Sequence, residues 1–117
     1  PKMNMVPCNS QDGNIILHLD GDKKTKIKSP KKECFKMGVR SEAISFAELD
    51  KADITGRLVL CEYLGSEQFA YADCGNGILI TVRFDPTTEM EIGSEVGLCF
   101  DHSDLHFFAD NGSRIEP

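Results

Sequence analysis

The sequence predicts an all-β domain, an antiparallel barrel with short helical turns. Strand-like runs alternate with turns rich in glycine and aspartate, and only one stretch has mild helical character. A chain of 117 residues is long enough for one domain with a single core. Small residues on one strand face favour close backbone approach and curvature, so we expect a closed or partly closed barrel rather than a flat sheet.

The first predicted element is a β-hairpin. Residues 13–19 form a short β-rich run that ends at the turn signal Asp20-Gly21-Asp22. Residues 25–29 then alternate in polarity, and Pro30 ends the run. These two runs are expected to pair.

The next elements are a strand over residues 33–40 and a turn or two of helix over residues 41–53. Ser41 is a candidate N-cap, because a serine hydroxyl accepts a hydrogen bond from an exposed amide of the first turn. The residues that follow it include alanine, leucine and glutamate, which favour a turn or two of helix, not a long one.

From Thr55 onward the pattern is uniformly β and predicts an antiparallel meander. Phe69 and Tyr71 alternate with two alanines, and this alternation must keep one face toward the core. After the turn at residues 75–77, the run 78–84 alternates apolar and mixed side chains. Further strand runs over "VGLCF" and "FFADNGSRI" are separated by a short turn over "HSDLH".

Basic residues are concentrated in the predicted hairpin. The net charge is -6, yet six of the thirteen basic residues lie between positions 23 and 32, a stretch without an acid. No aromatic side chain is interleaved with these lysines for bases to stack on. We therefore interpret them as a solvated strand edge that blocks sheet-to-sheet association, in preference to a surface for nucleic acid or anionic lipid.

The five cysteines predict free thiols. Their total is odd and no close C-x-x-C pair occurs, so neither a disulfide framework nor a zinc ribbon fits. Cys61, Cys74 and Cys99 lie in or beside apolar strand runs, where cysteine behaves as a small buried hydrophobe. This usage is typical of a reducing cytoplasm.

No segment has the pattern of a catalytic site. The spacing G-x-x-x-x-G-K-[ST] of a phosphate-binding loop is absent, and the nearest fragment, "GDKKT", has Asp22 where the lysine belongs. The tetrapeptide 101–104 contains the residue types of a hydrolytic triad, but sequence neighbours seldom converge as a triad does. Ser66 and Glu67 have no histidine nearby in sequence, and a Gly-Ser corner between strands is usually a bulge or bend.

One cluster has the spacing of a metal site. Cys99, His102 and His106 place three soft ligands within eight positions. Cys99 belongs to a strand run, and a structural zinc site needs a fourth ligand close by. We therefore expect no metal, no cofactor and no catalytic residue in this chain.

Five segments share the order and spacing of one known family. They are "PKMN" at residues 1–4, "MGVRSEAI" at 37–44, "LGSE" at 64–67, "IGSEVGLCFD" at 92–101 and "DLHFF" at 104–108, followed by "DNGSRI". Together they resemble the transport-associated OB-fold (TOBE) module, the C-terminal regulatory domain of maltose-type ABC importer ATPase subunits. The family's usual proline is replaced by Ser41, and its usual histidine by Ala43; the lysine-rich hairpin is a third departure.

The resemblance implies an OB-fold-like barrel in which residues 1–117 form one regulatory domain. Residues 1–50 would complete the barrel and residues 51–117 would form the main meander. The chain begins with proline, not methionine, and an upstream ATPase domain is expected to be absent from it. ATP and magnesium are expected only in that missing domain.

The resemblance also implies a function. It is that of a non-catalytic regulatory and dimerisation domain in an importer of sugars or related solutes. The implied partners are a second copy of the subunit, permease subunits, and a regulatory protein or metabolite, but no nucleic acid. The implied location is cytoplasmic, peripheral to the inner face of the cell membrane.

The resemblance directs attention to seven residues with structural or interaction roles. Gly65 would allow a sharp bend between strands, and Glu67 would bond to backbone or to the other subunit. The full set is Arg40, Glu42, Leu64, Gly65, Ser66, Glu67 and His106. Two other functions stay open at this point, a small oxyanion- or metabolite-binding module of the same barrel class and a nucleic-acid-binding OB-fold; an enzyme ranks last.

Overall fold

A computed structural model describes residues 3–116. This part of the chain contains eleven β-strands and three short 3₁₀ turns, Ser41–Ala43, Leu49–Lys51 and His102–Asp104. No helix in it is long and apolar enough to cross a bilayer. The strands are β1 (Met3–Gln11), β2 (Asn14–Leu19), β3 (Gly21–Lys28), β4 (Lys36–Arg40), β5 (Ile44–Ala47), β6 (Ile54–Leu64), β7 (Glu67–Asp73), β8 (Leu79–Arg83), β9 (Glu95–Phe100), β10 (Leu105–Phe108) and β11 (Arg114–Ile115).

The strands form two antiparallel sheets of an OB-fold-like barrel. The six-stranded sheet has the order β11-β10-β4-β1-β2-β3, and the five-stranded sheet has the order β5-β9-β6-β7-β8. Neither sheet is a contiguous piece of the chain, because β10 and β11 join the N-terminal strands while β5 joins β9. The all-β, antiparallel prediction is confirmed.

β1 changes partner halfway along its length. Its first half, Met3 to Pro7, pairs with β4, and its second half, from Cys8, pairs with β2. The Cys8 N–H donates to Phe35 O on the β4 side at 2.9 Å. Successive amides of a strand point to opposite sides, so the nitrogen of Pro7 points away from β4, toward the β2 side. Pairing with β2 begins only at the next residue, Cys8. The missing N–H of proline is tolerated there for that reason.

One side chain joins the free edge of β8 to β1. Asn4 Nδ2 donates to Thr81 O at 2.9 Å, and Thr81 N donates to Asn4 Oδ1 at 2.9 Å. The same Nδ2 lies 3.1 Å from Val39 O on β4. The amide of Asn4 thus supplies β8 with the donor and acceptor that a neighbouring strand would provide. This contact connects the two sheets of the barrel.

A main hydrophobic cluster contains most of the buried side chains, and a smaller one contains Leu58, Ala70 and Phe84. β7 contributes its small side chains, since Ala70 and Ala72 are fully buried at 0% exposure while Phe69 and Tyr71 are only partly buried. The alternation along β7 was predicted correctly, and the alanine face is the one that meets the core. The largest fully buried side chains are Ile15, Leu17, Ile27, Met37, Ile54, Leu58, Ile80 and Leu98.

Most predicted elements are confirmed. The hairpin β2–β3 and the meander β6–β7–β8 form as expected. β3 lies at the edge of its sheet with its four lysines exposed and Thr25 and Ile27 turned inward, as the strand-edge interpretation predicted. The N-cap prediction for Ser41 is wrong, because Ser41 is the first residue of the 3₁₀ turn and extended Arg40 precedes it without a capping side-chain bond. Predicted turns do occur in residues 41–53, on either side of β5.

Candidate functional site

The structure divides the predicted site residues into two groups. The first is formed by Arg40 at the end of β4 and His106 on β10, with Asp104 added to them. Arg40 Nη1 lies 3.2 Å from His106 Nε2 and 3.6 Å from Asp104 Oδ1. His106 Nε2 lies 3.4 Å from the same carboxylate oxygen. The neighbouring strands β4 and β10 bring the three together, since Gly38 and His106 are opposite each other in the register.

His106 is the buried member of this group. Its side chain is 9% exposed, whereas those of Arg40 and Asp104 are each 38% exposed. An arginine only donates, so Nε2 accepts from Arg40 when the imidazole is neutral, and the ring proton is then on Nδ1. Within residues 3–116 the buried Nδ1 has no hydrogen-bond partner.

The second group surrounds an open cleft beside the β6–β7 hairpin. Glu42, Ser66 and Glu67 line it together with Arg83, and its volume is about 420 Å³. Arg83 Nη2 lies 3.7 Å from Glu67 Oε1, with both side chains about half exposed at 50% and 49%. A solvent-exposed pair of this kind contributes little to stability. This ion pair links Glu67 on β7 to Arg83 on the neighbouring strand β8 of the same sheet.

The Leu64 to Glu67 corner is a turn. Leu64 and Glu67 pair at the end of the hairpin, so Gly65 and Ser66 are the two residues of its loop. Gly65 has φ +64° and Ser66 is not among the residues with positive φ, the pattern of a type II′ turn. A Cβ added at Gly65 would meet no atom within 4 Å. The glycine is required by backbone conformation, not by crowding.

The three residues of the candidate zinc cluster do not converge. Cys99 Sγ lies 3.5 Å from Lys51 O, His102 Nε2 lies 3.1 Å from Asp53 Oδ1, and His106 contacts Arg40. In the part of the chain that the structure describes, no group of three or more His, Cys, Asp and Glu side chains is placed to hold a metal ion.

The residue types of a triad at 101–104 do not form a triad. Ser103 Oγ donates to Asp101 Oδ1 at 2.7 Å, and the Ser103 amide donates to the same oxygen at 3.0 Å. These bonds hold the pKa of the Asp101 carboxyl below its usual range and begin the 3₁₀ turn. His102 contacts Asp53 instead of Ser103. The arrangement is structural, because the Ser103 hydroxyl has no histidine beside it to accept its proton.

The cysteines are free thiols, and three of them, Cys8, Cys34 and Cys74, are buried. Cys8 Sγ and Cys34 Sγ lie 3.9 Å apart. Burial, the largest cause, raises the pKa of both thiols. Burial and then the Asp73 charge raise the pKa of Cys74 to about 12. These thiols are protonated near neutral pH and are therefore poor nucleophiles. Cys61 and Cys99, predicted to be buried, are only partly so.

A groove beside the first group was not predicted. Its volume is about 780 Å³, and it runs between the loop after β3 and the strands β10 and β11. Sequence reasoning identified the lysines of this loop but had no signal to place them opposite Arg114, which is distant in sequence. The basic lining residues are Lys28, Lys31, Lys32 and Arg114, with His102 and His106 beside them.

The fold and these surfaces define a small OB-fold-like β-barrel domain that offers open clefts and side-chain networks. The TOBE domain family model matches residues 37–108. The chain therefore belongs to the TOBE domain family.

Two relatives cover nearly the whole chain. The first is the sn-glycerol-3-phosphate import ATP-binding protein UgpC of Paracoccus denitrificans, 29% identical over 118 residues, which cover 99% of this chain and 33% of the relative. The second is the "Putative ABC transporter ATP-binding protein MG187 homolog" of Mycoplasma pneumoniae, 26% identical over 109 residues, which cover 92% of this chain and 18% of the relative. The chain thus spans a third or less of the length of these curated relatives.

Proposed function

We propose that this chain is the non-catalytic, C-terminal regulatory domain of the ATP-binding subunit of an ABC importer for sugars or related solutes. The observation that carries the proposal is the match of nearly the whole chain to one third of an import ATP-binding protein. The TOBE family match over residues 37–108 supports it. The absence of a phosphate-binding loop from the sequence agrees with a regulatory domain rather than an ATPase domain.

The proposal includes a domain arrangement. Residues 1–117 act as one unit in which residues 1–50 complete the barrel and residues 51–117 form the main strands. Pairing of β10 with β4 and of β9 with β5 supports it, since strands from the two parts share both sheets. An ATPase domain upstream would hold ATP and magnesium, and the complex would lie at the cytoplasmic face of the membrane beside permease subunits.

Reading the gene upstream of Pro1 tests this arrangement directly. We expect an open frame with the spacing G-x-x-x-x-G-K-[ST] after a strand pattern. The purified full-length subunit should then hydrolyse ATP, and the 117-residue chain should show no turnover above background. An in-frame partner of another class, or ATP hydrolysis by the chain itself, would overturn the proposal.

The mechanical role requires two copies of the domain. Pairing across a twofold axis would hold two ATPase subunits together while they open and close. A regulatory protein or metabolite that binds one of the two arrangements better would shift the balance between them.

An exposed apolar face supports pairing of this kind. Leu60, Leu64 and Leu79 are 50%, 57% and 51% exposed. Leu60 is opposite Tyr71 in the register, and Tyr71 is opposite Thr81, so this row lies on the outer side of the five-stranded sheet. The three leucines lie on different rows of this face, and Glu62 separates Leu60 from Leu64 on β6. Exposed apolar side chains gathered on one face of a small domain are typical of an interaction surface. We place the contact with the second copy on this outer face.

Sedimentation velocity of the parent and two variants tests the contact. Leu60→Lys should shift the chain toward monomer, because it places a charge in the centre of the face. Leu49→Lys is the matched control, since Leu49 is 47% exposed and belongs to the 3₁₀ turn after β5. A monomeric parent at high concentration, or equal effects of both substitutions, would contradict the placement.

A further inference from the structure

The groove beside His106 has the size and position of a small-molecule site. One wall is the end of β3 and the loop that follows it, and the other wall is the third 3₁₀ turn with β10 and β11. Its volume of about 780 Å³ falls in the range of about 300–1,000 Å³ that small-molecule sites occupy. The clefts at the β6–β7 hairpin and along Gly56 are smaller, at about 420 and 460 Å³.

The groove is positively charged on an otherwise acidic domain. Three lysines and Arg114 line it, and Glu116 is the one acidic residue among the lining positions. The chain as a whole carries a net charge of -6. Within residues 3–116, no carboxylate lies within ion-pair distance of these four cations. The fold itself does not neutralise them, so an anion that enters the groove meets unpaired charges.

The interior of the groove has an apolar wall. Leu105, Phe107 and Ile115 line it, and Ile115 is 8% exposed. His106 lines the same groove, and its buried Nδ1 has no partner among the described residues. Because that nitrogen is itself enclosed, the apolar side chains and the basic rim are the surfaces that the groove offers to a ligand.

We propose that this groove binds a small organic anion, a phosphate or carboxylate group carried on an apolar or ring-shaped body. The basic rim recognises the anionic group, and the apolar side chains recognise the body. A nucleic-acid strand fits less well, because Phe107 is the one aromatic residue among the lining positions and successive bases need a series of stacking platforms. A regulatory role for the bound anion rests on the proposed function. Binding of the anion to this chain does not rest on it.

Three probes separate the two parts of this recognition. Phenyl phosphate carries both the anion and the ring, inorganic phosphate carries the anion alone, and phenol carries the ring alone. In NMR titrations of the chain, we expect phenyl phosphate to bind about tenfold or more tightly than either of the others. Its chemical-shift changes should map to residues 28–32, 102–107 and 114–116. Equal affinity for phosphate or phenol, or changes mapping elsewhere, would overturn the proposal.

Matched charge variants test the rim. Arg114→Gln and Lys28→Gln should each weaken phenyl phosphate binding by about tenfold, since each removes a charged donor. Lys23→Gln is the control, because it removes the same charge from the far end of β3, five residues from Lys28, and should leave the affinity unchanged. Equal weakening by all three would show attraction to net charge only and would overturn the site. The upstream reading frame tests the proposed function separately, so failure of one is distinguishable from failure of the other.

Discussion

Removal of the Asn4 amide should destabilise the barrel far more than its partly exposed position suggests. Asn4 makes three hydrogen bonds to backbone, two with Thr81 and one with Val39. A hydrogen bond contributes about 0.5–1.5 kcal/mol net, and a buried group left unpaired costs more. We therefore expect Asn4→Ala to lower the free energy of unfolding by about 2–4 kcal/mol. That loss is a large fraction of the roughly 5–15 kcal/mol typical of a domain.

Urea denaturation of the purified chain measures this loss. Asn9→Ala is the matched control, because Asn9 lies on the same strand, is exposed, and its Nδ2 makes one long contact, 3.4 Å to Ser10 O. The control should change stability by less than about 0.5 kcal/mol. Asn4→Asp should be as harmful as Asn4→Ala, since a carboxylate keeps the acceptor for Thr81 N but loses the donor for both carbonyls.

Amide hydrogen exchange at Thr81 gives a local readout of the same contact. The Thr81 N–H donates to Asn4 Oδ1, so it should be protected in the parent and lose protection selectively in Asn4→Ala. If Asn4→Ala unfolds at the same urea concentration as Asn9→Ala, with Thr81 still protected, the idea that Asn4 holds β8 against β1 is refuted.

The other expected outcomes concern the hairpin turn, the buried thiols and the lysine edge. Gly65→Ala should lower stability by about 1 kcal/mol or more because of its positive φ, while Ser66→Ala should cost less; thermal melts that rank them the other way would contradict the turn assignment. Raising the pH above about 9 should lower the free energy of unfolding, because buried Cys74, with a pKa of about 12, keeps its proton after the unfolded thiol, with a pKa of 9.0, has lost it. Urea midpoints from pH 8 to 11 should fall less steeply in Cys74→Ala, and an unchanged slope would exclude Cys74 as the cause. Lys24→Gln and Lys26→Gln should each change stability by about 0.5 kcal/mol or less, since both side chains are exposed; a larger drop in the urea midpoint would show that they are docked on the body.

Regular alternation made the meander predictable. Along β8 the residues Ile80 and Val82 face the core, while Leu79 and Arg83 face outward, as the sequence pattern indicated. β1 escaped prediction because proline and several polar residues interrupt its pattern. Pro7 fits in an interior strand since the strand changes partner there, and no local signal reports such a change.

The candidate sites were predictable as residues but not as groupings. The resemblance pointed to Arg40 and His106, which are 66 positions apart, without indicating that they contact each other. The cleft that joins Glu42 to Ser66 and Glu67 is likewise a product of the fold. Side chains brought together from distant strands leave no spacing pattern in the sequence, so only the three-dimensional register reveals them.

The change of partner in β1 has a consequence for the order in which the chain folds. β1 pairs with β2 across a short local turn, but it reaches β4 across more than 25 residues, and Asn4 reaches Thr81 across 77. Contacts between distant positions are slow to form because loop-closure entropy opposes them. The first half of β1 should therefore dock late, after the local hairpins exist.

Late docking predicts how Asn4→Ala acts on the two rate constants. A contact absent from the transition state affects mainly unfolding, so the substitution should speed unfolding and leave the folding rate nearly unchanged in stopped-flow urea jumps. Slower folding with an unchanged unfolding rate would instead place Asn4 in the folding nucleus. If unfolding is the rate that changes, β1 is the first strand of the described chain yet among the last to pair, and the lifetime of the barrel depends on how long the Asn4 amide stays bound to Thr81.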